Sequence, residues 1–182
     1  MIDHDTALAL MESKIPQKNL RKHILAVEAG MIRLADFLGE DKSFWGLTGL
    51  LHDLDYDKTV DDADRHTFLT EEWLKEYNLP NDMIYAIRCH PGHAPCQSKL
   101  DWALYSVDPA TGFIVACALM HPSKKLTGIN TEFMLRRFSE KRFAAGALRE
   151  NMAACSNLDL ELGDFLDLVH EGMLTIQDKL GL

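Results

Sequence analysis

Between residues 17 and 38 the apolar side chains Leu20, Ile24, Val27, Met31 and Leu34 recur at steps of three and four. That spacing places them on one face of a helix with 3.6 residues per turn, so the segment buries one stripe and leaves the other in water. Gly39 supplies a stop directly after it. The same reading extends along the chain. Residues 43–53, "SFWGLTGLLHD", form a short helix with almost no polar face, which predicts a central position, and Ser43 is a candidate N-cap. Residues 66–77 turn Phe68, Leu69, Trp73 and Leu74 inward, and residues 81–90 give a helix ending at "RCH". Residues 98–120 are helical on either side of Pro109, which is expected to kink or break the element. Two more amphipathic helices are predicted at about 131–146 and 159–180. Strand-like alternation is scarce. The expectation is an all-α bundle of about six to eight helices.

A chain of 182 residues has length for one domain with a substantial core, without disulfides or structural metal. No internal repeat, low-complexity tract or Pro/Gly/Ser-rich linker divides it, so residues 1–182 are read as one domain. Cys89, Cys96, Cys117 and Cys155 form no CxxC pair, which favours a reduced, cytoplasmic protein over a disulfide scaffold. The start, "MIDHDTALAL", lacks the basic and long apolar regions of a signal peptide, and the apolar run 113–120 is too short to span a bilayer, so no membrane partner is expected. A formal net charge of −9 leaves no basic surplus for broad nucleic-acid binding. It does not exclude a small anionic substrate held by a metal.

Chemistry-bearing residues fall at particular places on this helical frame. His23 lies at the border of the apolar stripe of the 17–38 helix. His52 and Asp53 end the apolar run in "LLHDLDYDK". His66 opens the next helix, His90 and His93 end the fourth in "RCHPGH", and Asp108 interrupts "ALYSVDPATGFIVA". Imidazole mixed with carboxylate suits Mn, Fe, Co, Ni or Zn better than Ca or Mg alone. Each residue also has a plainer reading. Asp108 before Pro109 has the form of an N-cap, and His90 and His93 have the form of solvated turn residues. Asp55, Asp57, Asp61, Asp62 and Asp64 read as a solvated acidic loop. His4, His121 and His170 read as surface or packing residues. "HD" alone is a weak signal; the ordered set carries the weight.

That ordered set, His23, then His52-Asp53, then Asp108, resembles the HD-domain superfamily of metal-dependent phosphohydrolases. The segment "LLHDLD" is similar to the family's "LLHDIG", with Leu54 and Asp55 in place of Ile-Gly. The resemblance covers roughly residues 18–120, which leaves 121–182 as a helical extension forming either a lid or a dimer contact. "PSKKL" (122–126) and "FAAGALRE" (143–150) resemble the tail of small bacterial proteins of this superfamily. It implies that His23, His52, Asp53 and Asp108 hold a first divalent metal, with Asp53 bridging. His66 and His90, with His93 as a further candidate, would complete a second site, or His66 and His90 would contact a substrate phosphate if one ion binds. His52 and Asp53 would then stand at the catalytic centre.

The activity so implied is hydrolysis of a phosphomonoester or phosphodiester by metal-activated water, with a nucleotide as one substrate class. The chain carries no nucleotide fingerprint of its own, neither GxGxxG nor a P-loop. Lys124 and Lys125 are candidates for steering a phosphate, and Asp57 and Glu28 for a general base or a ligand-orienting group. Two alternatives stay open: an HD-fold di-iron oxygenase, whose ligand pattern also adds histidines, and a non-catalytic metal- or nucleotide-binding module. A homodimer is open as well.

Overall fold

Side chains that catch otherwise unpaired backbone N–H groups set several of the helix starts. The computed structural model describes residues 2–182 and begins with α1 (His4–Lys14), where the Asp3 carboxylate accepts from Thr6 N at 2.8 Å. No side-chain bond marks the start of α2 (Lys18–Leu38), but Gly39 ends it in a left-handed conformation, φ 72°. The N-cap of α3 (Lys42–Leu51) is Asp41, which accepts from Ser43 N and Phe44 N. Ser43 is thus the second helical residue, not the cap. A short α4 (Tyr56–Thr59) leads to α5 (Phe68–Leu74), then α6 (Asn81–Cys89) and α7 (Lys99–Met120). The chain closes with α8 (Thr131–Phe138), α9 (Arg149–Ala153), α10 (Leu162–Leu174) and α11 (Gln177–Leu180). No strand occurs among the described residues, so the fold is all-α.

Three expectations change. Pro109 neither breaks nor terminates α7, which runs unbroken through it from a capping box formed by Ser98 and Asp101. Proline removes one backbone donor, but α7 is held by side chains buried along its whole length, including Leu100, Leu104, Val107, Phe113, Ile114 and Cys117. That packing outweighs a single lost bond. It also means that Asp108 sits in the middle of a helix and is not an N-cap. The segment predicted as one helix over 131–146 stops at Phe138 and continues as turns. The Arg149 guanidinium takes the carbonyls of Phe138, Phe143, Ala144 and Ala147, which diverts them from a helical ladder. Finally, α1 and α9 had no expected counterpart. The helix α7 is long and apolar enough to cross a membrane by length and composition, yet 56% of its apolar window is buried in the protein, as in a core helix.

The buried side chains form two clusters on either side of α2. One joins Val27, Met31 and Leu34 to α7, α8, α9 and α10. The other joins Ile24 to α1, α3, α5 and α6. Helices α8 to α11 therefore pack onto α2 and α7, which carry His23 and Asp108. Glycine permits two close approaches. A Cβ on Gly49 would lie 3.1 Å from the backbone of Glu28, and one on Gly172 would lie 2.4 Å from the Ala29 carbonyl oxygen. The first of these seats the end of α3, and with it His52, against α2.

Candidate metal centre

Four helix ends or faces deliver imidazoles to one point. His23 projects from α2, His52 follows the last residue of α3, His90 follows the last residue of α6, and His66 sits in the loop before α5. His66 thus precedes its helix by two residues, because Thr67 takes a left-handed φ of 73°. Each ring is pinned at Nδ1. His52 Nδ1 donates to Gly49 O at 2.7 Å and His90 Nδ1 to Ile87 O at 2.6 Å. His66 Nδ1 donates to Asp55 Oδ1 at 2.9 Å. The Thr111 hydroxyl gives its proton to Asp108 O at 2.9 Å, so it accepts from His23 Nδ1 at 3.2 Å. With each Nδ1 a donor, a neutral ring carries its lone pair on Nε2. All four Nε2 atoms point inward, at Asp53.

The Asp53 carboxylate divides the cluster in two. Its Oδ2 lies 3.3 Å from His52 Nε2 and 3.7 Å from His23 Nε2. Asp108 Oδ1 closes that side, 3.0 Å from His23 Nε2 and 3.9 Å from His52 Nε2. On the other side, Asp53 Oδ1 lies 3.1 Å from His66 Nε2 and 3.4 Å from His90 Nε2. His23, His52 and Asp108 could hold one ion, and His52, Asp53 and His90 form a second overlapping ligand group. Two buried atoms, His52 Nε2 and Asp53 Oδ1, complete no hydrogen bond among the described residues. Buried polar atoms are rarely left so, and a cation between them would satisfy both. The donor set fits a divalent transition metal.

Without a cation the cluster resolves its charge through protons. Burial opposes a charge on His66, but the carboxylates of Asp53 and Asp55 overcome it and raise its pKa to about 9. Burial lowers His90, and Asp53 restores only part of that shift. Burial also acts against Asp53, yet His52, His66 and His90 hold its carboxyl well below the usual range. Asp108 is lowered as well, with His23 outweighing its burial. His66 Nε2 lies 3.1 Å from His90 Nε2, so a bond between them needs a proton on one of the two.

Some candidates lie elsewhere. His93 stacks on Phe68, with ring centres 5.2 Å apart, and joins neither ligand group. Lys124 and Lys125 occupy a turn after α7, where Lys125 N bonds Ser123 Oγ, and neither lines the cleft above the cluster. That turn lies past the C-terminal end of α7. Asp57 bonds Gln17 Nε2, and Glu28 is buried in a pair with His4 Nε2 at 2.7 Å, so neither faces the cleft. His170 is a packing residue bonded to Leu126 O.

Asp55, read as part of a solvated loop, is fully buried. Its carboxylate accepts from Thr67 N, Leu69 N and Thr70 N while it anchors His66. It thus caps α5 from a distance and fixes one ring of the cluster. The cleft itself has a volume of about 620 Å³. Its floor is His23, Asp53, His66, His90 and Asp108, and its opposite wall comes from the stretch 144–151.

Residues 20–109 match the family described as the HD domain. Neither a curated protein nor a solved structure matches the chain.

Proposed function

The chain carries an HD domain, and on that premise we propose that it is a metal-dependent phosphohydrolase acting on a phosphomonoester or phosphodiester. One observation supports this reading above the others: the two oxygens of Asp53 each face a separate pair of imidazole nitrogens. His23, His52 and Asp108 would hold one divalent ion, His66 and His90 a second, with Asp53 shared. Such ions supply Lewis acidity and make a water nucleophile accessible near neutral pH. The chain's own groups do the positioning. Gly49 O, Ile87 O, Asp55 and Thr111 orient the rings, so the donor atoms need not reorganise when the site fills. Residues of the stretch 144–151 line the cleft beside the floor residues.

The test pairs elemental analysis with a screen of phosphatase and phosphodiesterase substrates on the purified protein. We expect one to two transition-metal ions per chain and metal-dependent phosphate release. Asp53→Ala should lose both while keeping its helical circular-dichroism spectrum. An Asp53→Ala protein with full metal content would remove the assignment. The imidazole-rich donor set also suits iron, so O2 uptake by the iron-loaded protein belongs in the same screen. Uptake without phosphate release would replace hydrolysis with oxidative chemistry.

A further inference from the structure

The walls of the cleft carry no cation. Apart from the five floor residues, the lining is apolar, with Leu20, Pro91, Pro109 and Leu148 as its larger side chains. Tyr56 and Asn151 are its uncharged polar groups. No lysine or arginine lines it. Arg21, Arg65 and Arg149 each adjoin a lining residue in sequence without lining the cleft themselves, and Arg149, in the wall segment, is turned away from it. Its nitrogens bond the carbonyls of Phe138, Glu140, Phe143, Ala144 and Ala147, and its plane lies 4.9 Å from the centre of the Phe113 ring. With those donors engaged it is not free to bind a phosphate. Leu148 and Tyr56, by contrast, keep 58% and 41% of their surfaces exposed.

These surfaces have consequences for a substrate. Metal ions on the floor can balance one phosphoryl group, and the two floor carboxylates already consume part of their charge. A second or third phosphate would lie against apolar walls with no charged partner, which is costly. A flat or aliphatic group would instead bury Leu148, Leu20 and the Tyr56 ring, at about 25 cal/mol per Å² of apolar surface. The cleft volume of about 620 Å³ accommodates a group of one or two rings.

We propose that the cleft selects a phosphate ester with a single phosphoryl group and an uncharged, largely apolar substituent, and discriminates against nucleoside di- and triphosphates. This rests on the phosphohydrolase reading. Full-length, Mn-loaded protein would be assayed for phosphate release from phenyl phosphate and 2-naphthyl phosphate against ADP and ATP. In parallel, calorimetry would compare binding of phenylphosphonate with that of a non-hydrolysable methylene analogue of ATP. We expect kcat/KM for the aryl esters to exceed that for ATP by at least roughly a hundredfold, as loss of charge-assisted hydrogen bonds implies. Phenylphosphonate should bind more tightly than the ATP analogue. Leu148→Lys, which places an ammonium on the wall, should narrow both ratios by about tenfold. Equal or better turnover of ATP or ADP by the unaltered protein would overturn the proposal. If no ester releases phosphate, the hydrolase reading fails, and the binding comparison still decides the selectivity. Tighter binding of the ATP analogue would overturn it.

Discussion

Asp53 and Asp55 stand two residues apart and do different work. Asp53 offers an oxygen to each half of the cluster, whereas Asp55 never reaches the cluster centre and acts through His66 Nδ1. Asp55→Asn keeps one acceptor oxygen but loses the charge that holds His66. Groups that orient ligands this way are worth about ten- to a hundredfold in metal affinity. Competition with a chelating dye should show a loss of that size for Asp55→Asn, with binding abolished in Asp53→Ala. The same carboxylates set a pH dependence. His66 is raised from 6.5 to about 9 in the folded, metal-free protein. The stabilisation from its proton is therefore complete below about pH 6.5 and disappears as the pH rises through 9. Thermal melts of the metal-free protein should fall across that window. Melts of the metal-loaded protein should stay flat there, because the ion has replaced the proton. Titration of metal at neutral pH should release a proton into the buffer.

At the scale of elements, the site depends on how closely α3 approaches α2. The backbone of Glu28 leaves no room for a side chain at position 49, three residues before His52. Gly49→Ala gains about 1 kcal/mol in helix propensity but forces two packed helices apart, at a cost of about 1–3 kcal/mol. Overpacking should win because the obstacle is backbone and cannot rotate aside. Denaturant unfolding should show a net loss of up to about 2 kcal/mol, and metal affinity should fall as His52 retreats from His23. On the opposite side, Arg88 of α6 pairs with Glu71 of α5, with Nε 2.7 Å from Oε1. That bond ties together the two elements that present His66 and His90. The α7 helix contributes Asp108 from its middle, so continuity through Pro109 matters to the chemistry as well as to the core.

For the molecule as a whole, the cluster joins α2, α3, α6 and α7 with the loop before α5, and a bound ion would cross-link them all. An ion that binds the folded chain at a hundred times its dissociation constant adds about 2.7 kcal/mol of stability. Chelation should lower the melting temperature by several degrees, and Asp53→Ala should abolish that difference. The amino-acid sequence determined the helical class, the faces of the main helices and the identity of His23, His52, Asp53, His66, His90 and Asp108 as the residues to watch. The helices follow from local periodicity, and the residue set from its resemblance to the HD-domain superfamily. The sequence misplaced Asp55, Pro109 and the stretch 139–146. An aspartate in an acidic run reads as solvated until its carboxylate meets amides twelve to fifteen residues away. A proline reads as a break until packing along a whole helix outweighs one missing hydrogen bond. Residues 139–146 read as helix until the Arg149 guanidinium, just after them in the chain, claims their carbonyls. Which polar groups face the cleft and which are spent elsewhere was decided by contacts between segments, and only the tertiary structure contains those.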